Sequence, residues 1–224
     1  MKVLFIKKPF IILLLFLLSL SNINSQEQIN LSQNKEFYIN DVAHYNLGLS
    51  DSYQNSYIKI EMEGRSNMRN YIVSVYSDSS RMKRIQLGQS FNGKTKVYIT
   101  PGQHMGNVIY FDLECDEYSC GGTILSSYSN NIELKEGEPL SYYVSEGNIN
   151  MEFSLTSNLN MFNIWARGQK EIITELPSIN SIKKNKENYY IVKENLNSQI
   201  FKVKGTVGDF INVGFIGYKE QNFN

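Results

Sequence analysis

From about residue 55 onward the chain alternates apolar and polar side chains in short runs. Ile58, Ile60 and Met62 alternate with Lys59, Glu61 and Glu63. Tyr71, Val73 and Val75 are spaced by two, as are Val97 and Ile99, and Ile109, Phe111, Leu113 and Cys115 form a longer series. A period of two turns one set toward a core and the other toward water, which is the pattern of β-strands with one solvated face. The runs stop at turn chemistry: Glu63 with Gly64, Asn92 with Gly93, Pro101 with Gly102, Gly121 with Gly122. Short strands at this spacing predict an all-β protein of antiparallel, jelly-roll-like sandwiches, with helix almost absent.

The pattern then repeats. Tyr45 falls on Tyr142, the series Ile58, Ile60, Met62 on Met151, Phe153, Leu155, and Tyr71, Val73, Val75 on Phe162, Ile164, Ala166; further on, GNVIYFDLEC from Gly106 matches GDFINVGFIG from Gly208. A period of about 100 residues is one sandwich per repeat. The sequence therefore reads as two tandem β-sandwich domains, residues 36–131 and 139–224, after a flexible N-terminal segment over residues 26–35. The joint falls where NIELKEGEP breaks the alternation with charge and a proline. In this alignment the second unit lacks a counterpart of the strand that follows the cysteines in the first. Three arrangements fill that place: residues 36–40 crossing over, a strand from a partner chain, or a natural product that continues past residue 224 and carries a surface attachment there.

Residues 1–25 read as a signal peptide, with Lys2, Lys7 and Lys8 before an apolar run over residues 10–20 and Ser25 at the cleavage point. That run is shorter than the roughly 20 residues that span a bilayer as a helix. Ile23, bulky at the minus-three position, leaves an uncleaved anchor as the alternative. No second run of bilayer length follows, so the mature chain as given has no membrane span and is expected to be secreted, extracellular or lumenal. In that compartment Cys115 and Cys120, spaced C-x4-C, are expected as a disulfide across a hairpin turn, with free thiols and metal binding as the alternatives. Asn30, Leu31 and Ser32 form a glycosylation sequon with Asn30 as acceptor.

Basic and acidic residues number 22 each. Losing the three leader lysines leaves a small acidic excess, so there is no electrostatic case for nucleic acid. Residues 88–95, GQSFNGKT, satisfy the phosphate-loop pattern G-x4-G-K-[ST]. Such a loop must end at a helix N-terminus whose amides hold phosphate; here an alternating run stopped by Pro101 follows, and no nucleotide is expected. The expected element is an Asn-Gly hairpin turn between two strands.

Catalysis finds little support. There is no G-x-S-x-G elbow, and His104 reads as a loop residue while His44 is matched by Ser141 in the repeat. Asp112, Glu114, Asp116 and Glu117 read as a solvated acidic face, without the spacing of a calcium loop. Arg81, Lys83 and Arg84, and Lys183, Lys184 and Lys186, read as solvated loops or edge strands. Tyr76, Tyr98, Tyr110, Tyr118 and Tyr128 are the candidates for an aromatic sugar platform, against the plainer reading of strand packing. No catalytic residue, cofactor or metal ligand is assigned.

The entry strand at Tyr45, the strand of Ile58, Ile60 and Met62, and Val97 to Thr100 leading to Ile109, Tyr110, Phe111 and Asp112 resemble tandem pre-peptidase C-terminal domains of secreted and surface proteins, as protists carry them. The resemblance spans residues 45–224 and implies compact sandwiches that act as accessory or binding modules. The expected function is thus a non-catalytic secreted or surface module that recognises a protein or carbohydrate partner; a secreted hydrolase using His104 or His44, or a protease-associated domain, is the alternative.

Overall fold

The computed structural model describes residues 27–30, 34–40, 42–50, 55–66, 70–104, 106–116, 120–156, 159, 161–193 and 199–218. The leader, Leu31, Ser32, Glu117, Tyr118 and residues 219–224 lie outside them. The described chain is all-β.

The first nine strands are β1 (Glu27–Ile29), β2 (Asn34–Ile39), β3 (Val42–Gly48), β4 (Tyr57–Gly64), β5 (Tyr71–Tyr76), β6 (Arg84–Gln89), β7 (Lys94–Ile99), β8 (Val108–Cys115) and β9 (Cys120–Ser129). They form a five-stranded sheet, β1-β3-β8-β5-β6, and a four-stranded sheet, β2-β9-β4-β7. The alternating residues meet between the two: Leu47, Val75, Phe111 and Leu113 from one sheet, Ile58, Ile60, Val97 and Ile99 from the other. Each such side chain, once fully buried, contributes about 1.5–3 kcal/mol, which is why the period of two dictates a face-to-face sandwich.

The remaining strands are β10 (Ile132–Leu134), β11 (Leu140–Tyr143), β12 (Asn150–Leu155), β13 (Met161–Leu176), β14 (Ser181–Val192), β15 (Gln199–Lys204) and β16 (Phe210–Tyr218). They form one seven-stranded sheet, β10-β12-β15-β13-β16-β11, with β14 on β13. The long strand β13 breaks register between Arg167 and Ile172. Before the break it pairs with β16, and after it with β15. The sheet thereby folds over, and Phe162, Ile164 and Phe215 from one arm share a core with Phe153, Leu155 and Phe201 from the other. At the bend the backbone N–H groups of Gln169 and Lys170 donate to the carboxylate of Asp209, at 2.9 and 3.2 Å, and that of Phe210 donates to it at 2.9 Å. Asp209 is fully buried; it supplies the acceptors that the interrupted ladder no longer offers.

The strand order of the first half recurs in the second, as the aligned residues require: β3-β8-β5-β6 becomes β11-β16-β13-β14, and β4-β7 becomes β12-β15. The halves differ beyond β4. There the first half adds β9 and β2, whereas the second has β10, three residues running parallel to β12. Residues 36–40 therefore do not cross over: Glu36 to Ile39 belong to β2 and pair with β9 in their own half. The interval between residues 131 and 139, read as a joint, supplies β10, because Ile132 and Leu134 alternate and bury in the second core. The segment 26–35, expected to be flexible, contains β1, paired in parallel with β3 through Ile29, which is buried.

Candidate functional site

The two halves meet through polar groups that are themselves buried. Gln86 on β6 donates its amide to the Tyr98 carbonyl at 3.1 Å and accepts from the backbone N–H of Tyr143 at 2.6 Å. Gln103 donates to the Ile85 carbonyl at 2.5 Å and to Ser145 Oγ at 2.9 Å, while its own carbonyl accepts from the Thr100 N–H at 2.9 Å. Thr100 Oγ1 donates to the Gly147 carbonyl at 2.8 Å. A Cβ on Gly147 would stand 2.4 Å from the Gly102 oxygen, so glycine lets the two backbones touch. Tyr98, from β7, packs into the second core. Its burial, aided by Glu61 and Glu133, raises the phenol to about 12.

Above this junction lies a cleft of about 200 Å³ between two tight turns. One turn joins β6 to β7, with Asn92 and Gly93 at φ of 50° and 72° and Phe91 bridged to Lys94; the other joins β10 to β11, with Gly137 at φ 72° and Lys135 bridged to Glu138. Both turns need left-handed residues, which Asn and Gly supply. Gln89, Asn92, Lys94 and Lys96 line one wall and Lys135 and Glu138 the other. Phe91 also lines the cleft and is 47% exposed. Lys96 Nζ donates to Glu138 at 2.6 Å, closing one end. That bond holds the Glu138 carboxyl below the ordinary carboxylate range, and the charges of Lys96, Lys135 and Lys94 add to the effect. So stabilised an anion is a poor proton acceptor. The cleft offers amides, cations and an aromatic face, a set suited to recognition.

The residues singled out in the sequence are scattered. Cys115 and Cys120 stand at disulfide distance, with Cα atoms 6.4 Å apart and the sulfurs bonded. They do not close a hairpin, because β8 and β9 lie in opposite sheets; the pair staples the sandwich at one end. Asn30 follows β1 and is exposed, and its carbonyl accepts from Ser126 at 3.4 Å. The Asn-Gly turn likewise joins strands that diverge into opposite sheets, and Lys94 and Thr95 open β7 where a phosphate loop would begin a helix. Among the described residues no group of three or more His, Cys, Asp and Glu has metal-binding geometry, and no helix is long and apolar enough to cross a membrane.

The acidic face is not fully solvated. Asp112 points outward from β8 as alternation requires, yet it is only 6% exposed, because Arg81 folds over it. Arg81 Nε donates to Asp112 Oδ1 at 2.5 Å and His44 Nδ1 donates to the same oxygen at 2.7 Å. Arg81, at φ 57°, lies in the turn that Asp78 organises by accepting from the backbone of Met82 and Lys83. His104 Nε2 donates to the Ser56 carbonyl at 2.9 Å and pins a loop. Lys183, Lys184 and Lys186 lie on β14, exposed. Of the tyrosines, Tyr76 and Tyr98 are buried, Tyr110 lies under the Arg81 guanidinium and Tyr128 accepts from the Ser50 N–H; Tyr118 lies outside the described residues. The four described ones do not form a platform.

Sequence reasoning passed over Phe91 and Trp165. The signal for the second was present: the alternation that turns Phe162, Ile164 and Ala166 inward turns Trp165 outward. In comparisons with known proteins, no family model and no curated protein matches the chain.

Proposed function

We propose that the chain is a pair of tandem sandwich domains in a secreted or surface protein, binding a protein or carbohydrate partner without chemistry of its own. The observation that carries this reading is the cleft at the junction, framed by two left-handed turns on halves joined by buried hydrogen bonds and lined by Phe91, amides and lysines. Rigid walls lower the ordering cost of binding. The test is an array of immobilised glycans and proteins probed with the chain beginning at Gln26, alongside Phe91→Ala and Lys96→Ala. Binding weakened by both substitutions is expected. Binding unaffected by either removes the cleft from the reading. Expression in a secreting host, with N-terminal sequencing of the product and a mass shift at Asn30, tests the leader and the sequon.

One observation favours a second reading. The His44 ring is oriented by Asp112 as a general base would be. The hydrogen bonds of the described residues join no hydroxyl or thiol to His44, and Asp112 is shared with Arg81. Hydrolysis of an ester or peptide panel that vanishes in His44→Ala would establish the hydrolase and end the binding-module reading.

A further inference from the structure

The outward face of β16, β13 and β14 is a grid of three rows. Register aligns Gly214, Trp165 and Tyr189 in the middle row, Ile216, Asn163 and Ile191 on one side, and Asn212, Arg167 and Glu187 on the other. A Cβ on Gly214 would stand 2.4 Å from one atom of the indole six-membered ring and 2.9 Å from both of that atom's ring neighbours. Both neighbours are nearer than an approach in the ring plane would bring them, so the indole lies face-on over the glycine, with its other face turned away from the sheet. The ring is also fixed in rotation: Nε1 donates to Asn212 Oδ1 at 3.1 Å, and the Asn212 amide donates to Ser141 Oγ at 3.0 Å. Arg167 Nε donates to the Tyr189 hydroxyl at 2.8 Å, which in turn donates to Glu187 at 3.0 Å, so these polar groups are held at one border of the indole. On the opposite border Ile191 is 67% and Ile216 41% exposed.

We infer that this face binds a neutral saccharide chain, with a pyranose ring lying on Trp165; the inference rests on the reading of the chain as a binding module but not on the cleft. Three features select that chemistry. A flat aromatic face whose rotation is already frozen matches the apolar C–H face of a pyranose at little entropic cost. The adjoining row supplies both donors and acceptors, as hydroxyl groups require. The charges of Arg167 and Glu187 cancel, so neither an anionic nor a cationic ligand gains from the site as a whole. A protein partner would meet the same face through its isoleucines, but the fixed polar row would then be buried against whatever the partner provides, at a desolvation cost. Ile216 and Ile191, exposed on either side of Asn163, add apolar surface beside the indole that the C–H groups of a sugar can cover.

Trp165 is the only tryptophan in the chain, so intrinsic fluorescence reports on this face alone. Wild-type protein is titrated with cellohexaose, xylohexaose, mannohexaose and chitohexaose, and the same sugars are measured by calorimetry against Trp165→Ala, Trp165→Phe and the exposed control Met82→Ala. A saturable emission change with at least one sugar is expected, with binding weakened about tenfold in Trp165→Ala, partly restored in Trp165→Phe and unchanged in Met82→Ala. The wild-type titration stands even if the alanine variant does not fold. Sugar binding that leaves Trp165 emission unchanged and is lost in Phe91→Ala puts the saccharide in the cleft; it overturns this inference and keeps the wider reading. Failure of all four sugars to bind overturns the inference, and the wider reading then rests on the protein arm of the array. Concentration-dependent dimerisation abolished by Trp165→Ala, without sugar binding, assigns the face to a second copy of the chain and overturns it as well.

Discussion

The backbone N–H of Tyr143 donates to Gln86 Oε1 at 2.6 Å, so the side chain of one edge strand caps the backbone of another. Strand β6 ends the first half's five-stranded sheet and β11 ends the second half's sheet. Left open, both edges would offer unpaired ladder groups to other chains. Gln86 closes them against each other and fixes how the walls of the cleft face one another. Gln86→Ala takes the partner from the Tyr98 carbonyl in one half and from the Tyr143 N–H in the other, and is expected to cost about 2 kcal/mol and to separate the unfolding of the two halves. Denaturation followed by Trp165 fluorescence, which reports the second half, and by far-UV circular dichroism, which reports both, should coincide in wild type and diverge in the variant.

Asp209 accepts from three backbone N–H groups at the bend of β13. Asp209→Ala strands those donors in a buried site, and a loss of about 3 kcal/mol is expected, with Asp209→Asn retaining part of it. Urea denaturation read through Trp165 measures the effect; a loss confined to a few tenths would show that the bend is held by the hairpin alone.

Reduction of the Cys115–Cys120 bond should lower stability by about 2 kcal/mol, since the loop it closes is short. Because the bond ties β8 to β9 across the sandwich, hydrogen exchange should quicken at that end of both sheets and not at one alone. A double Cys→Ser variant gives the comparison without reductant.

Tyr98 and Tyr45 are both raised to about 12 by burial, Tyr98 with help from Glu61 and Tyr45 from Glu27. The folded state therefore holds each phenol's proton more tightly than the unfolded chain, whose phenols titrate near 10. Their contribution is fully present below pH 10 and is lost as pH rises toward 12. Stability should fall across that window, and the fall should be shallower in Tyr98→Phe. Urea midpoints at pH 9 and pH 11 check the sign.

Alternation alone determined the class of this protein and the inward set of nearly every strand. Side-chain direction along an extended backbone is a local property, and Ile58, Ile60, Met62, Phe162, Ile164 and Ala166 needed no tertiary knowledge to be placed inside. The same rule set Trp165 outward, and Gly208 with Asp209 aligned with the start of β8's run before the role of Asp209 at the bend was visible. What alternation does not contain is which strand pairs with which and what lies over an outward residue, because both depend on segments distant in the chain. Cys115 and Cys120 are close in sequence, yet opposite sheets claim them. Asp112 points to water by period and is covered all the same, by an arginine thirty-one positions earlier. Residues 167–171 are polar enough to read as a loop, and only the carboxylate of Asp209, reaching from β16's entry, lets β13 run on through them as one bent strand. The cleft is likewise a product of pairing. Phe91 and Glu138 sit in turns that any sequence reading leaves in solvent, and they line one cleft because Gln86, Gln103 and Tyr98 join the two cores.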